Sequence, residues 1–255
     1  MPERITLEHM TSPEVAAALA AGYTKAIVPA GAVEQHGPHL PMFMDAAHGD
    51  RLGVEVARRL GGALVAPTIR VGCSEHHMAF TGTLTLERDT FLAVCGDYAA
   101  SLARHGFTRV CFVPTHGGNF APLRDGLDRL NEAAGDACSV EAYTDLMEVI
   151  DTWRDVAERE AGFGERVGGH ADLAETSVML ALHPELVREE LATAGYSPDP
   201  DPAAREALVE RIIAEGFATV TPNGILGDAR GGTAELGEKL IAALADVVAA
   251  AFGAA

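Results

Sequence analysis

The chain has 255 residues, of which 48% are hydrophobic and 22% charged, the proportions of an ordinary globular protein, so wholesale disorder is excluded. Lys plus Arg number 19 against 37 Asp plus Glu, a net charge of −18 that repels phosphate backbones and anionic lipid, so neither nucleic acid nor membrane is an expected partner. A chain of this length buries on the order of 70–75% of its unfolded surface and needs neither disulfides nor metal to fold.

The predicted elements run as follows. SPEVAAALAAG (12–22) fits a helix with Ser12 at the N-cap and Pro13 at N1. KAIVPAGAVE (25–34) has strand composition, and GDRLGVEVARRL (49–60) reads as a helix. ALVAPTIRVG (63–72) is a second strand, and TFLAVCGDYAASLARHG (90–106) a second amphipathic helix stopped by Gly106. TRVCFVPTHGGN (108–119) is a third strand, followed by a helix from about 120 to 134, and CSVEAYTD (138–145) is a fourth strand. Helices are expected near 173–183 and 203–215, with an Ala-rich one from about 233. Strands alternating with helices mean crossover connections and a mostly parallel sheet covered on both faces. We expect a single α/β domain over 1–255, a three-layer α/β/α arrangement, with PDPDPAA (198–204) as a surface loop.

Cys73, Cys95, Cys111 and Cys138 form no CxxC pair, and Cys95 and Cys111 sit in apolar runs as small buried hydrophobes. A reduced, cytoplasmic setting is expected. MPERITLEHM lacks the apolar core of a secretory leader. The C-terminal LIAALADVVAAAFGAA is broken by Asp246 and is shorter than the roughly 20 apolar residues of a membrane span.

Chemistry concentrates in three segments. Glu34 and His36, at i and i+2, share one side of an extended stretch, and Asp45, His48 and Asp50 follow. Mixed His and carboxylate donors suit zinc, manganese or iron. Glu34 and His36 directly follow the first predicted strand, and His116 lies at the end of the third. In open parallel sheets ligands bind beyond the carboxyl ends of the strands, so both segments deliver donors to one edge. The turn His116-Gly117-Gly118-Asn119 offers close backbone approach and free helix N–H groups, which suit an oxyanion. The plainer account is a Gly-rich turn capped by Asn119. In GGHADLAETS (168–177), His170 and Glu175 can reach one cavity, whereas an ordinary exposed helix would use Asp172 as its cap and Glu175 in its first turn.

AGAVEQHGPHLPMFMD (30–45), SEHHMAFTGTLTL (74–86), THGGN (115–119), HADLAETS (170–177) and NGILGDARGGTAELG (223–237) resemble, in order, the signature blocks of the creatininase (creatinine amidohydrolase) family. The resemblance implies a creatininase-like domain with two divalent metal ions, hydrolysis of a C–N bond in a small amide, and a homo-oligomer, with a hexamer favoured. Carried across, Glu34, Asp45 and His116 hold one ion, while Asp45 bridges to a second held with His36. His170 matches the histidine that moves protons. Creatininase proper carries a carboxylate where this chain has Gly118, so Glu175 is assigned as the replacement, a pattern closer to formamide deformylases and mycofactocin-type peptidases. Asp172 stands where the family usually has glycine and adds a carboxylate near His170.

Glu75, His76 and His77 follow the second strand and are expected to contact substrate or gate the site. His39 and His48 are candidate partners of the ligands, Trp153 and Tyr143 candidate pocket walls, and Cys73 a remote candidate nucleophile. The stretches 151–169 and 223–232 are candidates for donation across a subunit boundary. The expected function is dinuclear amide hydrolysis on a small molecule. The alternatives are a metallopeptidase trimming a short peptide in cofactor or natural-product maturation, and an inactive metal- or ligand-binding scaffold.

Overall fold

The computed structural model describes residues 4–253, so the first residues of MPERITLEHM and the last two of the chain lie outside it. Helix α1 (Ser12–Ala20) leads into strand β1 (Lys25–Ala30), helix α2 (Met44–Leu60) and strand β2 (Ala63–Val65). Helix α3 (Arg88–Arg104), strand β3 (Arg109–Pro114), helix α4 (Gly117–Ala134) and strand β4 (Ser139–Ala142) complete a four-stranded sheet of order β2-β1-β3-β4, parallel throughout. Beyond it come α5 (Leu146–Ala161), β5 (Val167–His170), α6 (Leu173–Leu182), α7 (Pro202–Glu215), β6 (Leu226–Gly227) and α8 (Ala234–Gly253). β5 and β6 form a separate antiparallel ribbon.

β1 and β3 are buried along nearly their whole length, as a sheet covered on both faces requires, so they read as continuous apolar runs rather than alternations. One face carries Phe91, Leu92 and Cys95 of α3 and Leu123 and Leu130 of α4. The other carries Leu52 and Val56 of α2, Trp153 of α5 and the stripe Leu240, Leu244 and Val248 of α8. The spacing of that stripe puts it on one side of α8, which is why an Ala-rich segment packs here as a core helix. No helix among the described residues is long and apolar enough to cross a membrane.

The strands stop earlier than the composition suggests. β1 ends at Ala30 because a side chain on Gly31 would lie 2.7 Å from the Ala46 backbone nitrogen: α2 crosses there and the chain leaves the sheet. α2 accordingly starts at Met44, bringing Asp45 into its first turn. β3 ends at Pro114 and α4 begins at Gly117, with His116 at its N-cap. Asn119 is therefore not the cap; it is buried, accepting from the Cys73 amide and donating to the carbonyls of Ala30 and Gly31. In α1 the capping box belongs to Thr11 and Glu14, one residue before the expected Ser12.

Three elements went unread in the sequence. α5 shows its apolar stripe at Leu146, Val149, Ile150, Trp153 and Val156, capped by Asp145 and ended by left-handed Gly162. β5 and β6 are too short and glycine-rich to carry a strand signal. Within the chain, α5 packs on α8 and β6 pairs with β5.

Candidate metal centre

The chain runs outward from β1 to β2, then returns to β3 on the other side of β1. That reversal opens a crevice beyond the carboxyl ends of β1 and β3. The loop after β1 carries Glu34 and His36 into it, the first turn of α2 adds Asp45, and the end of β3 adds His116. All four side chains are buried, the most exposed being His116 at 3%. Glu34, Asp45 and His116 offer donor atoms within 4.8 Å of one another, and His36, Asp45 and Glu175 form a second such group that shares Asp45.

Each imidazole is oriented by a carbonyl, which can only accept. His116 Nε2 lies 3.0 Å from the Cys73 carbonyl oxygen and donates to it, leaving Nδ1 3.2 Å from Glu34 Oε1 and 3.4 Å from Asp45 Oδ2. His36 Nδ1 donates to the Glu34 carbonyl at 3.2 Å, leaving Nε2 3.4 Å from Asp45 and 3.6 Å from Glu175. Separations of 3.4–3.6 Å are too long for good hydrogen bonds. They match instead the roughly 3.4 Å between two ligands that each sit about 2.1 Å from a common tetrahedral ion. Glu34 Oε2, His36 Nε2 and Asp45 Oδ2 are buried with no hydrogen-bond partner, a cost that cations bound there would remove. The donor set therefore fits a pair of divalent ions.

The electrostatics agree. Burial acts to lower the His36 pKa, but the carboxylates of Asp45, Glu175 and Glu34 outweigh it and push it up to about 10. His116 is likewise raised well above its ordinary value: burial opposes, and Glu34 and Asp45 prevail. Burial, reinforced by the neighbouring Asp45 and Asp172 carboxylates, drives Glu175 up to about 8 despite the opposing pull of His36. Without ions, then, the centre collects protons where positive charge is needed.

α6 resolves the two accounts of its first turn in favour of both. Asp172 is the N-cap, accepting from the amides of Ala174 and Glu175 through one oxygen and from Gly168 and Gly169 through the other. All its acceptor capacity goes to backbone, so it pins the β5–α6 turn and does not reach the centre as an extra carboxylate. Glu175, one turn on, is buried and held by the Ala171 amide at 2.5 Å, with Ala171 itself in the left-handed region at φ 51°. His170 Nε2 donates to the Gln35 carbonyl at 2.9 Å, which leaves Nδ1 unprotonated, 3.8 Å from Glu34 Oε1.

Gln35, unremarked between its two neighbours, ties the site together. Its side-chain amide reaches His77 Nδ1 at 3.0 Å and the Gly224 carbonyl at 3.2 Å, while its oxygen accepts from the Gly37 amide. His77 Nε2 then faces Glu34 at 3.4 Å. His77 thus touches Glu34, and Glu34, His76 and His77 offer donor atoms within 4.8 Å of one another, so both histidines of the loop border the cluster, while Glu75 lines the cavity. Gly117 and Gly118 line it too, in the first turn of α4 where amides have no helical partner. A side chain on Gly118 would collide with the Cys73 carbonyl and the rings of His116 and His76, so no carboxylate fits there.

The remaining candidates fall around this centre. His39 supports α6 through Thr176 Oγ1 at 2.8 Å, and His48 packs on Trp153 with ring centroids 5.3 Å apart. Trp153 lines the cavity, while Tyr143 donates to Glu148. Asp50 is taken by Thr68 and Arg70. All four cysteines are free thiols; burial raises the Cys73 thiol, so its carbonyl, not its sulfur, serves the site.

A family model described as Creatininase: Creatinine amidohydrolase matches residues 8–252. The mycofactocin precursor peptide peptidase of Mycobacterium ulcerans (strain Agy99) is 32% identical over 228 residues, covering 86% of this chain and 81% of the relative. The creatinine amidohydrolase of Pseudomonas putida is 30% identical over 196 residues, covering 73% of this chain and 75% of the relative. A solved mutant creatininase of Zn-Zn type superposes with a TM-score of 0.77 at 25% identity, covering 98% of this chain and 97% of its own. Sequence blocks, strand-end geometry and whole-chain similarity coincide, and this chain belongs to the creatininase family.

Proposed function

We propose that this protein is a dinuclear metal-dependent hydrolase of C–N bonds in amides. One observation carries the proposal: two buried donor triads share Asp45, and both imidazoles are turned by carbonyls so that the other ring nitrogen faces the carboxylates. Glu34, Asp45 and His116 would hold one ion, and His36, Asp45 and Glu175 the other. Bound there, divalent ions supply Lewis acidity toward the amide carbonyl and lower the pKa of water. Zinc, manganese and iron all suit this nitrogen and oxygen set, and solved creatininases are named for zinc and for manganese.

The chain's own residues supply the rest. Burial, with the His36 charge behind it, holds the His170 pKa well below its ordinary value, so the ring is neutral. Its Nδ1 lone pair, fixed by the Gln35 carbonyl, takes a proton from the attacking water and returns it to the departing nitrogen. Gly117 and Gly118 line the cavity in the first turn of α4, and their amides, without helical partners, would serve as donors to the carbonyl oxygen as it gains charge. Cys73 is outside this scheme.

A second reading, a metallopeptidase trimming a short peptide, is favoured by one observation: the cavity holds about 1040 Å³, at the upper end of the roughly 300–1,000 Å³ usual for small-molecule sites. We further propose one domain, a cytoplasmic location and a homo-oligomer, hexameric as the family resemblance implies. The test is purification without chelator, elemental analysis, and a hydrolysis screen of lactams, formamides and short peptides. Turnover that disappears on chelation and returns with metal supports the assignment; turnover indifferent to chelation refutes it.

A further inference from the structure

The cavity that contains the metal centre continues to a pair of arginines, Arg88 at the start of α3 and Arg124 on α4. Both guanidinium groups bind the same carboxylate: Arg88 reaches Asp125 Oδ2 at 2.9 Å and Arg124 reaches Asp125 Oδ1 at 3.0 Å. Asp125 therefore holds the two heads side by side, and they in turn hold its carboxyl below the usual range. Among the described residues no other acceptor engages either guanidinium, and both side chains are more than half exposed, Arg88 at 53% and Arg124 at 58%. Most of their N–H groups are thus open to a ligand. In a chain of net charge −18, a cationic pair on the wall of the cavity that holds the metal centre needs a reason.

We propose that Arg88 and Arg124 form a subsite for a carboxylate at the far end of the substrate. Asp125, and Glu87 beside Arg88 in the cavity lining, offset most of the two guanidinium charges, so the pair binds through its open N–H groups and favours a singly charged carboxylate over a phosphate dianion. Guanidinium forks also match the planar, two-oxygen geometry of carboxylate. The other cavity wall explains selectivity by position: Glu206 and Glu210 of α7 line it and repel an anion placed there.

α4 acts as a ruler. Arg124 lies eight residues after His116 on a helix rising 1.5 Å per residue, and side chains lean toward the N-terminus, so the arginine pair stands on the order of 10 Å from the metal ligands. A substrate that reaches both is an elongated amide bearing a carboxylate about that far from the bond to be cut, roughly three extended residues. A single-ring lactam is too short.

This subsite deepens the amide-hydrolase reading and rests on it, so the test reads binding apart from turnover. N-formyl-trialanine and its C-terminal amide are titrated calorimetrically into the metal-loaded protein, with N-formyl-alanine as the short control and a C-terminal phosphonate analogue of the tripeptide as the dianionic one. The free acid is expected to bind about tenfold tighter than the amide, and the double variant Arg88→Gln, Arg124→Gln to erase that ratio while retaining its metal. Arg159→Gln, which removes a charge outside the cavity, is expected to keep the ratio. Equal affinity of acid and amide, no binding of either, an unchanged ratio in the double variant, or a phosphonate that binds tighter than the acid would each overturn the subsite. Binding with the expected ratio but no metal-dependent release of formate or amino acid from any amide in the screen leaves the subsite standing and refutes the hydrolase reading.

Discussion

The two halves of the centre are built differently. Glu34, Asp45 and His116 come from the parallel sheet: the strand ends of β1 and β3 and the first turn of α2, anchored in strands buried on both faces. His170 ends the glycine-rich β5, which pairs with the two-residue β6, and Glu175 sits in the first turn of α6 just after left-handed Ala171. The first half inherits its geometry from hydrogen-bonded register. The second depends on one cap, Asp172, whose two oxygens gather four amides from both sides of the turn. Rigid strands place ligands by topology, whereas an irregular turn must place them by explicit side-chain bonds.

Asp45 belongs to both groups, and its replacement is the largest expected loss. Asp45→Ala should empty both positions by elemental analysis and abolish hydrolysis; a variant retaining about two ions per chain would mean that the bridge is elsewhere. Glu34→Ala and Glu175→Ala separate the halves, each expected to lower metal content by about one ion. If Glu175→Ala keeps its full content, the ribbon half contributes no ligand.

His170→Ala should leave metal content intact and lower kcat by about 10²–10⁴-fold, the usual worth of a positioned acid–base group. Unchanged kcat on any substrate found would remove it from proton transfer.

The pH dependence tests the charge balance of the whole centre. In the folded, ion-free protein the pKa of His36 is raised from 6.5 to about 10 and that of Glu175 from 4.5 to about 8. A raised pKa stabilises the fold below the unfolded value and loses that contribution as pH climbs through the folded one. The Glu175 contribution fades between about pH 4.5 and 8 and the His36 contribution between about pH 6.5 and 10, so the chelated protein should lose Tm most steeply between about pH 6.5 and 8, where both fall. Ions displace the same protons, so metal affinity should rise with pH over that window and the loaded protein should not show the loss. Parallel Tm profiles with and without metal would contradict this.

The smallest effect on the ions should be that of Asp172→Ala, which touches neither ligand group but removes a helix cap worth about 0.5–2 kcal/mol and strands the Gly168 and Gly169 amides at about 1–3 kcal/mol each. It should reduce Tm clearly and weaken the Glu175 position before the Glu34 position, read as loss of one ion at lower chelator concentration. Equal weakening of both would erase the distinction between the halves.

Much of this molecule was legible from its residues. Alternating apolar runs gave the parallel α/β sheet, and donors placed just after strands, Glu34, His36 and His116, pointed to the crevice. Strand ends were overread by several residues, because only packing, such as α2 passing over Gly31, says where a strand must stop. α5 had its stripe in plain view, but neighbouring strand composition obscured it. Gln35 carried no local signal, since its partners lie 42, 135 and 189 residues away.

Sequence alone determined which atoms could bind metal and which edge they would reach, because side-chain chemistry and strand direction are local properties. Only the tertiary structure decided that Glu175 turns inward while Asp172 caps, that each imidazole presents one chosen nitrogen, and that Gly118 has no room for a carboxylate. Those outcomes depend on carbonyls and amides brought close by folding, whose directional bonds no spacing along the chain encodes.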